Sequence, residues 1–337
     1  MIDDRQALLL ACGRHPLAAE VARGLRRARV GQGTRVLVAA SGGADSTALL
    51  ALCAGLAERG VVQPVVGHVD HGLRPESALD AECAQSTAQR LGLPFLRRCP
   101  AIAPGPGVAA RAREARYAAL ADMAREAVAA VVLAAHHADD QAETVLLAMA
   151  RGAGLDGMGG MPTRRALPTP AGGGIDLVRP CLRIGRRPLR DACVELGLAW
   201  REDPGNERTD TPRGAARGTV LPALERAWPG AARRMARGAE LARLGAALVE
   251  SHLSAMRRPD GSFARASLRG APEALAATAV RMLAGEAVDD AAAWQAAEAA
   301  VDESTDPRRF PLADGSVLVV DAHAVRRERH QGDDAGS

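Results

Sequence analysis

The chain has 337 residues, room for two domains of ordinary size, with 47% apolar residues and a formal charge of +3. No apolar run approaches the roughly 18 residues of a membrane span, and the acidic start at Asp3 and Asp4 is a poor signal peptide. The six cysteines, at 12, 53, 83, 99, 181 and 193, form no close pair suited to a disulfide framework or a zinc knuckle, so free thiols in the cytoplasm are the expectation.

In chain order, a helix is predicted over roughly 5–28. Short apolar strands then alternate with helical patterns. The strands are Arg35–Ala40, Pro64–Val69, Pro94–Arg97 and Ala129–Ala135; the helices are Asp45–Arg59, Ser77–Leu91, Val108–Arg125 and Asp139–Arg151. Such a series predicts an α/β fold, a doubly wound and mostly parallel sheet covered on both faces. Ligands of such sheets gather beyond the carboxyl ends of the strands. Gly152–Gly174, rich in glycine and proline, reads as a loop, mobile from Ala166 onward. Beyond about Thr219 the pattern turns to Ala/Arg/Leu helices, with short strand-like runs near Phe310 and at Val317–Val320. The expected organisation is a catalytic domain over 1–218, a smaller, mainly helical domain over 219–330 and a disordered tail over 331–337.

The richest stretch is VLVAASGGADSTALL, Val36–Leu50. It reads as a strand, a Ser-Gly-Gly turn and a helix. Glycines let an anion approach the backbone N–H groups, and the helix N-terminus adds positive potential. Asp45, in the first helical turn, is a natural magnesium ligand, and the Ser41 and Ser46 hydroxyls can donate to phosphate oxygens. The plain alternative is a strand–helix turn with a serine cap. Lysine is absent from the sequence, so all 43 basic residues are arginine. That excludes the lysine-bearing phosphate loop, Schiff-base chemistry and a lysine nucleophile. Gly152, Gly154 and Gly157 spell G-x-G-x-x-G, but they follow a helix, which is the wrong setting for a dinucleotide loop.

Other polar groups fall at the same sheet edge. Asp140 and Glu143, three apart on a helix, share a face and suit an ammonium ligand, with Asp139 alongside or simply complementing the helix dipole. His68, Asp70 and His71 follow the second strand. His136 and His137 follow the fourth, where either could be structural. Together with Asp139 and Asp140 these residues could instead build a two-metal phosphoesterase site, which would leave the Ser-Gly-Gly turn without a task. Arginine clusters at 23–29, 183–190 and 226–237 suit a polyanion partner or ordinary solvated helix faces.

The S-G-G-x-D-S turn resembles the pyrophosphate loop of the N-type ATP pyrophosphatases, or PP-loop enzymes, which cleave ATP between the α and β phosphates. Six further stretches narrow the resemblance: HVDHGLRPES (His68–Ser77), AREARY (Ala112–Tyr117), AAHHADDQAET (Ala134–Thr144), RGAGLDGMGGM (Arg151–Met161), RPCL (Arg179–Leu182) and EDPGN (Glu202–Asn206). In order and spacing, over roughly 33–225, the chain resembles the tRNA(Ile)-lysidine synthetase family.

That resemblance implies ATP-dependent attachment of L-lysine to C2 of the wobble cytidine of the AUA-reading isoleucine tRNA, whose anticodon is CAU. An adenylated cytidine would be the intermediate, with AMP and diphosphate released. ATP and Mg2+ are the implied cofactors and tRNA(Ile) and L-lysine the implied partners; no membrane is implied, and a homodimer is left open. For ATP the resemblance implies Ser41, Gly42, Gly43, Ala44, Asp45, Ser46, His68 and Arg113, with Asp45 on magnesium. For lysine it implies Asp140 and Glu143, which with Asp45 form the catalytic set. For tRNA it implies Arg74, Arg213 and Arg217. Where the family shows R-N-x-x-R, this chain reads Arg213-Gly214-Ala215-Ala216-Arg217, keeping both arginines and losing the asparagine. The two arginines could alternatively pair with acids such as Asp203 or Glu207. A tRNA-thiolating PP-loop enzyme, the nearest rival, would want a C-x-x-C pair or an iron–sulfur site that the sequence lacks. An amidating relative such as NAD synthetase fits the Arg-rich second domain poorly.

Overall fold

Proline at position 16 splits the first expected helix. A computed structural model describes residues 3–70, 72, 77–103, 105–167, 174–202 and 209–329, and its helices begin with α1 (Asp4–Arg14) and α2 (Pro16–Arg27). Pro16 lacks an N–H and disfavours helical backbone at the preceding residue. His15 accordingly leaves the helix, and its ring accepts the Leu17 N–H at 3.1 Å.

The main sheet follows in the expected alternation: β1 (Thr34–Ala39), α3 (Ala44–Ala57), β2 (Val62–Val69), α4 (Ser77–Leu91), β3 (Phe95–Arg98), α5 (Val108–Glu126), β4 (Val131–Leu133) and α6 (Ala138–Ala150). Next come α7 (Leu155–Met158), β5 (Arg164–Ala166), β6 (Asp176–Val178) and α8 (Arg186–Glu195). Strand order is β3-β2-β1-β4-β6-β5, with every pairing parallel except β5 on β6. The expected loop over 152–174 thus contains α7 and the edge strand β5. Neither announces itself in sequence, because each is a few residues long and β5 offers no buried side chain. Of the part expected to be mobile, residues 168–173 lie outside the described residues.

Alternation along β1 feeds two cores. Val36 and Val38 join Leu49, Leu52 and Leu189 in a cluster formed with α1, α2, α3 and α8. Leu37 faces the other side, where Tyr117, Leu120 and Met123 of α5 pack on Val65 and Val132. Helices α3 and α5 therefore cover opposite faces of one sheet.

After α8 come α9 (Pro212–Ala215), a π-helical turn (Ala216–Val220), α10 (Leu221–Ala227) and α11 (Ala231–Met256). The chain divides into compact units at Arg243/Leu244, further along than the expected 218/219 boundary. Packing explains the difference. Leu221 and Ala232 bury against Ala142 of α6, with Leu146, Leu224 and Met235 beside them, so α10 and the start of α11 belong to the first unit. The composition shift at 219 marks no break in the core.

The second unit carries β7 (Phe263–Ala264), α12 (Arg265–Leu268), α13 (Glu273–Ala284), α14 (Asp290–Val301), β8 (Arg308–Pro311), β9 (Val317–Val320) and β10 (Ala324–Glu328). Its antiparallel sheet, ordered β7-β10-β9-β8, packs with the helices around Phe263, Leu283, Leu318 and Val325. The strand-like runs near Phe310 and at Val317–Val320 are β8 and β9. The 331–337 tail lies outside the described residues. Among the described residues, no helix is long and apolar enough to cross a membrane.

Candidate active site

The turn between β1 and α3 is held open by hydrogen bonds to its own serine. Ser46 Oγ accepts the Ser41 N–H at 3.0 Å and donates to the Gly43 carbonyl at 2.9 Å. Gly42 sits at φ +84°, and a Cβ there would lie 2.7 Å from the Asp80 carbonyl oxygen, so the position requires glycine on both counts. Arg201 braces the turn from outside: its N–H donates to Gly42 O at 2.9 Å and its Nε to Asp80 Oδ1 at 2.9 Å. Sequence reasoning passed over Arg201, although it stands directly before the EDPGN stretch, of which residues 203–206 lie outside the described residues.

A cavity of about 650 Å³ opens at this edge. Ser41, Gly43, Ala44, Asp45 and Ser46 line it, as do His68, Asp140 and Arg217. Gly42, Arg113, Glu143 and Arg213 are not among the residues that line it; Glu143 is buried, and Arg113 and Arg213 are exposed. Arg74 and His71 lie outside the described residues.

Asp45 and Asp140 meet through His137. The ring Nδ1 accepts the Asp140 N–H at 3.2 Å, while Asp140 Oδ2 accepts the His137 N–H at 3.1 Å, a reciprocal cap that starts α6. Nδ1 being an acceptor, the ring hydrogen is assigned to Nε2, which lies 3.5 Å from Asp45 Oδ2. Burial works against a charge on His137, but the Asp45 contact and the carboxylates of Asp140, Asp45 and Asp139 outweigh it and raise its pKa. The other Asp45 oxygen, Oδ1, is buried without a hydrogen-bond partner. Such an orphaned carboxylate oxygen beside a phosphate-shaped turn fits a divalent cation. Asp139 has a structural task, accepting the Arg186 N–H at 2.8 Å at the start of α8.

His68 donates through Nδ1 to the Ala40 carbonyl at 2.8 Å, leaving its Nε2 buried and unpartnered. Burial lowers its pKa despite that bond. Asp70 accepts the Gly72 N–H at 2.9 Å and a 2.6 Å hydrogen bond from Arg97.

The acid pair and the arginine pair, which the resemblance assigns to different ligands, touch each other. Glu143, its side chain 1% exposed, takes Arg217 Nε on Oε1 at 2.6 Å and Arg213 Nε on Oε2 at 2.7 Å. Arg217 adds a second bond to Oε2 at 3.1 Å, and both arginines also approach Asp140, at 3.4 and 3.7 Å. The alternative partners Asp203 and Glu207 lie outside the described residues. Thr211 caps α9 by accepting the Gly214 N–H at 3.0 Å, and the π-helical turn begins just beyond, at Ala216. π-Helical turns cluster at functional sites.

On the α5 side, Arg113 and Arg116 flank Tyr117, and Arg111 instead braces the preceding loop through the Ala103 and Gly105 carbonyls. Arg179 Nε donates to His136 Nδ1 at 3.3 Å. Burial, reinforced by the charges of Arg179, Arg116, Arg113 and Arg213, pushes His136 down to about 3. Among the described residues the two-metal constellation is not assembled, and His136 serves an arginine. Among the described residues, no three His, Cys, Asp or Glu side chains gather to hold a metal.

A mostly parallel sheet with a Ser-Gly-Gly turn at its carboxyl edge and an aspartate in the first turn of the next helix is the architecture of a PP-loop ATP-binding protein. The PP-loop domain family matches residues 17–224. The tRNA(Ile)-lysidine synthase of Salinispora arenicola is 43% identical over 265 residues, 76% of this chain and 78% of that protein. That of Thermus thermophilus is 41% identical over 251 residues, 73% of this chain and 46% of its own greater length. The chain belongs to the tRNA(Ile)-lysidine synthase family. In fold it is also similar to a U34-tRNA thiolase from Methanococcus maripaludis with its 4Fe–4S cluster, at TM-score 0.54 and 16% identity over 68% of this chain and 81% of that one.

Proposed function

We propose that the chain joins L-lysine to C2 of the wobble cytidine in the CAU-anticodon isoleucine tRNA, forming lysidine and releasing AMP and diphosphate. The observation that carries this reading is one cavity with the Ser41–Ser46 turn on one wall and Asp140, backed by Glu143, on another.

Cytosine O2 is a poor leaving group, so it must first attack the α-phosphorus of ATP; an O–P bond forms as the bond to diphosphate breaks. The turn suits that step, because its N–H groups and the α3 N-terminus face where the departing diphosphate gathers charge. Asp45 would hold Mg2+, with Oδ1 available to it; the ion would supply charge neutralisation at the phosphates. His68 stands at the same wall for the nucleotide. In the second step the lysine amine attacks C2 and AMP leaves with the oxygen, the nitrogen losing its proton. Asp140 is the carboxylate on the cavity surface and takes the substrate ammonium; Glu143 sets its electrostatics from behind. Arg213 and Arg217 meet the RNA once it displaces them from the acids. The exposed Arg233, Arg234 and Arg237 on the first-unit part of α11 serve tRNA binding, and the second unit is taken as a further tRNA-binding region; a cytoplasmic location fits such a substrate.

The test is AMP formation with lysine and tRNA(Ile) transcript, omitting each component in turn. AMP is expected only with ATP, lysine and tRNA all present for lysidine product. Product without lysine, or turnover indifferent to tRNA, would overturn the reading.

A further inference from the structure

On the face of the sheet away from α3, helix α5 and strand β5 build a second positive surface. The guanidinium carbons of Arg113, Arg116 and Arg165 stand 5.1, 5.5 and 4.7 Å from the centroid of the Tyr117 ring. Tyr117 is 4% exposed, yet it lines the cavity, and its buried hydroxyl lies against the Arg165 and Arg179 guanidinium groups, which leaves its own hydrogen free to donate. Arg116 Nε is unpartnered. Among the described residues, no carboxylate forms an ion pair with Arg113, Arg116 or Arg165, whereas Arg213 and Arg217 have theirs in Glu143.

Three like charges on one ring repel one another, and the cation–π attraction of a tyrosine face is too weak to account for such a cluster by itself. An anion resolves the imbalance. His136 adds a donor: its Nδ1 accepts from Arg179, so the ring hydrogen sits on Nε2 of a residue that lines the cavity. Burial and the facing charges of Arg179, Arg116, Arg113 and Arg213 keep that imidazole neutral, a hydrogen-bond donor with a fixed tautomer.

We propose that this wall is a phosphate subsite for the RNA substrate. It holds a phosphodiester beside the nucleotide whose base enters the cavity, through Arg113, Arg116 and Arg165, with the Tyr117 hydroxyl and His136 Nε2–H as further donors. The proposal rests on the RNA-modifying reading above. A phosphate of ATP offers the same chemistry, but the nucleotide phosphates already have the turn at α3, on the opposite face of the sheet, with its own N–H groups and Asp45. A base brought to the α-phosphate from the other side needs its backbone anchored on that other side. Planar arginine forks on an aromatic ring are suited to that anchoring in single-stranded RNA.

The full-length protein tests this with Arg165→Gln, Arg116→Gln and the charge-keeping Arg165→Lys. Arg165 lies on an edge strand with a half-exposed side chain, so its loss leaves the core intact. Affinity for the CAU-anticodon tRNA is measured across a KCl series, and ATP affinity is measured without RNA by equilibrium dialysis. Each neutralisation should weaken tRNA binding several-fold and flatten the salt slope by about 0.7, the increment for one phosphate contact in a single strand. ATP affinity should hold within about twofold, and Arg165→Lys should keep the slope. Loss of ATP affinity with an unchanged RNA slope would assign the wall to the nucleotide and overturn the proposal. An unchanged slope and unchanged ATP affinity in folded variants would overturn it too, as a purely structural stack. Failure of the parent enzyme to consume ATP with tRNA and lysine would count against the underlying reading instead.

Discussion

Arg217→Ala is the sharpest probe of the site, because the pair it breaks links both proposed substrate surfaces. Arg217 gives Glu143 two hydrogen bonds, at 2.6 and 3.1 Å, and Glu143 is 1% exposed, so the carboxylate has no water to turn to. Leaving a buried charge entirely unpaired costs about 3–5 kcal/mol. Arg213 remains at 2.7 Å, so the expected loss is smaller, about 1–3 kcal/mol, the range for one charge-assisted contact. Glu143→Gln should cost a similar amount by removing the buried charge that both guanidinium groups share. If the pair is real, the double variant should be more stable than the sum of the single losses predicts, by about 1–3 kcal/mol. Urea midpoints of the four proteins measure this. Glu143→Gln should raise the lysine requirement at least about tenfold, and Arg217→Ala should weaken use of tRNA, while ATP binding in the absence of tRNA is unchanged in both. Additive stability effects, or lost ATP affinity with an unaltered lysine requirement, would refute the reasoning.

Asp45→Ala should cut AMP formation by roughly 10²–10³-fold with the fold intact, since its Oδ1 carries no structural bond; near-normal turnover in the folded variant would remove Asp45 from the chemistry. Asp70 is expected to set acid stability. Burial would raise its pKa, but the Gly72 N–H, the Ser77 hydroxyl and Arg97 together hold it at about 2. A depressed native pKa stabilises above the ordinary carboxylate range and fades as pH falls toward 2. Asp70→Asn should thus lose about 1–2 kcal/mol near neutrality relative to the parent, and the two melting curves should converge near pH 2; a difference that persists there would point to another cause. Arg233 and Arg237, exposed and four apart on α11, should each contribute to tRNA binding, so that replacing both by Gln lowers the salt slope by up to about 2. An unmoved slope would leave them as solvated surface.

Chemistry carried by local backbone was legible in the sequence, and chemistry assembled across the chain was not. The Ser41–Ser46 turn could be read because its glycine, serine and aspartate act within six residues of one another. The pairing of Glu143 with Arg213 and Arg217 spans 70 and 74 residues, and no spacing rule connects them. Arg201 was missed for a related reason: half of its role is a backbone N–H given to Gly42, which any residue type could supply. Likewise β5 holds its place by pairing with β6 and not by an apolar pattern of its own, so it had no periodic signal to find. The domain boundary followed composition in the sequence and follows Leu221 and Ala232 in the fold.

Read together, these charges impose an order on the proposed reaction. Asp140 and Glu143 are engaged by Arg213 and Arg217, so an arriving lysine ammonium has to compete with two guanidinium groups for the same oxygens. An RNA phosphate can draw those guanidinium groups away from the acids, because it is multidentate and arrives with its own counterions to release. RNA entry would therefore free the acids as it fills the cavity, and the lysine pocket would strengthen only when the base to be modified is at hand. Asn at position 214 would bring a further donor and acceptor to the short helix that carries Arg213. Glycine there leaves the two arginines as the sole side chains of that motif able to make the exchange, and keeps the backbone loose enough to permit it.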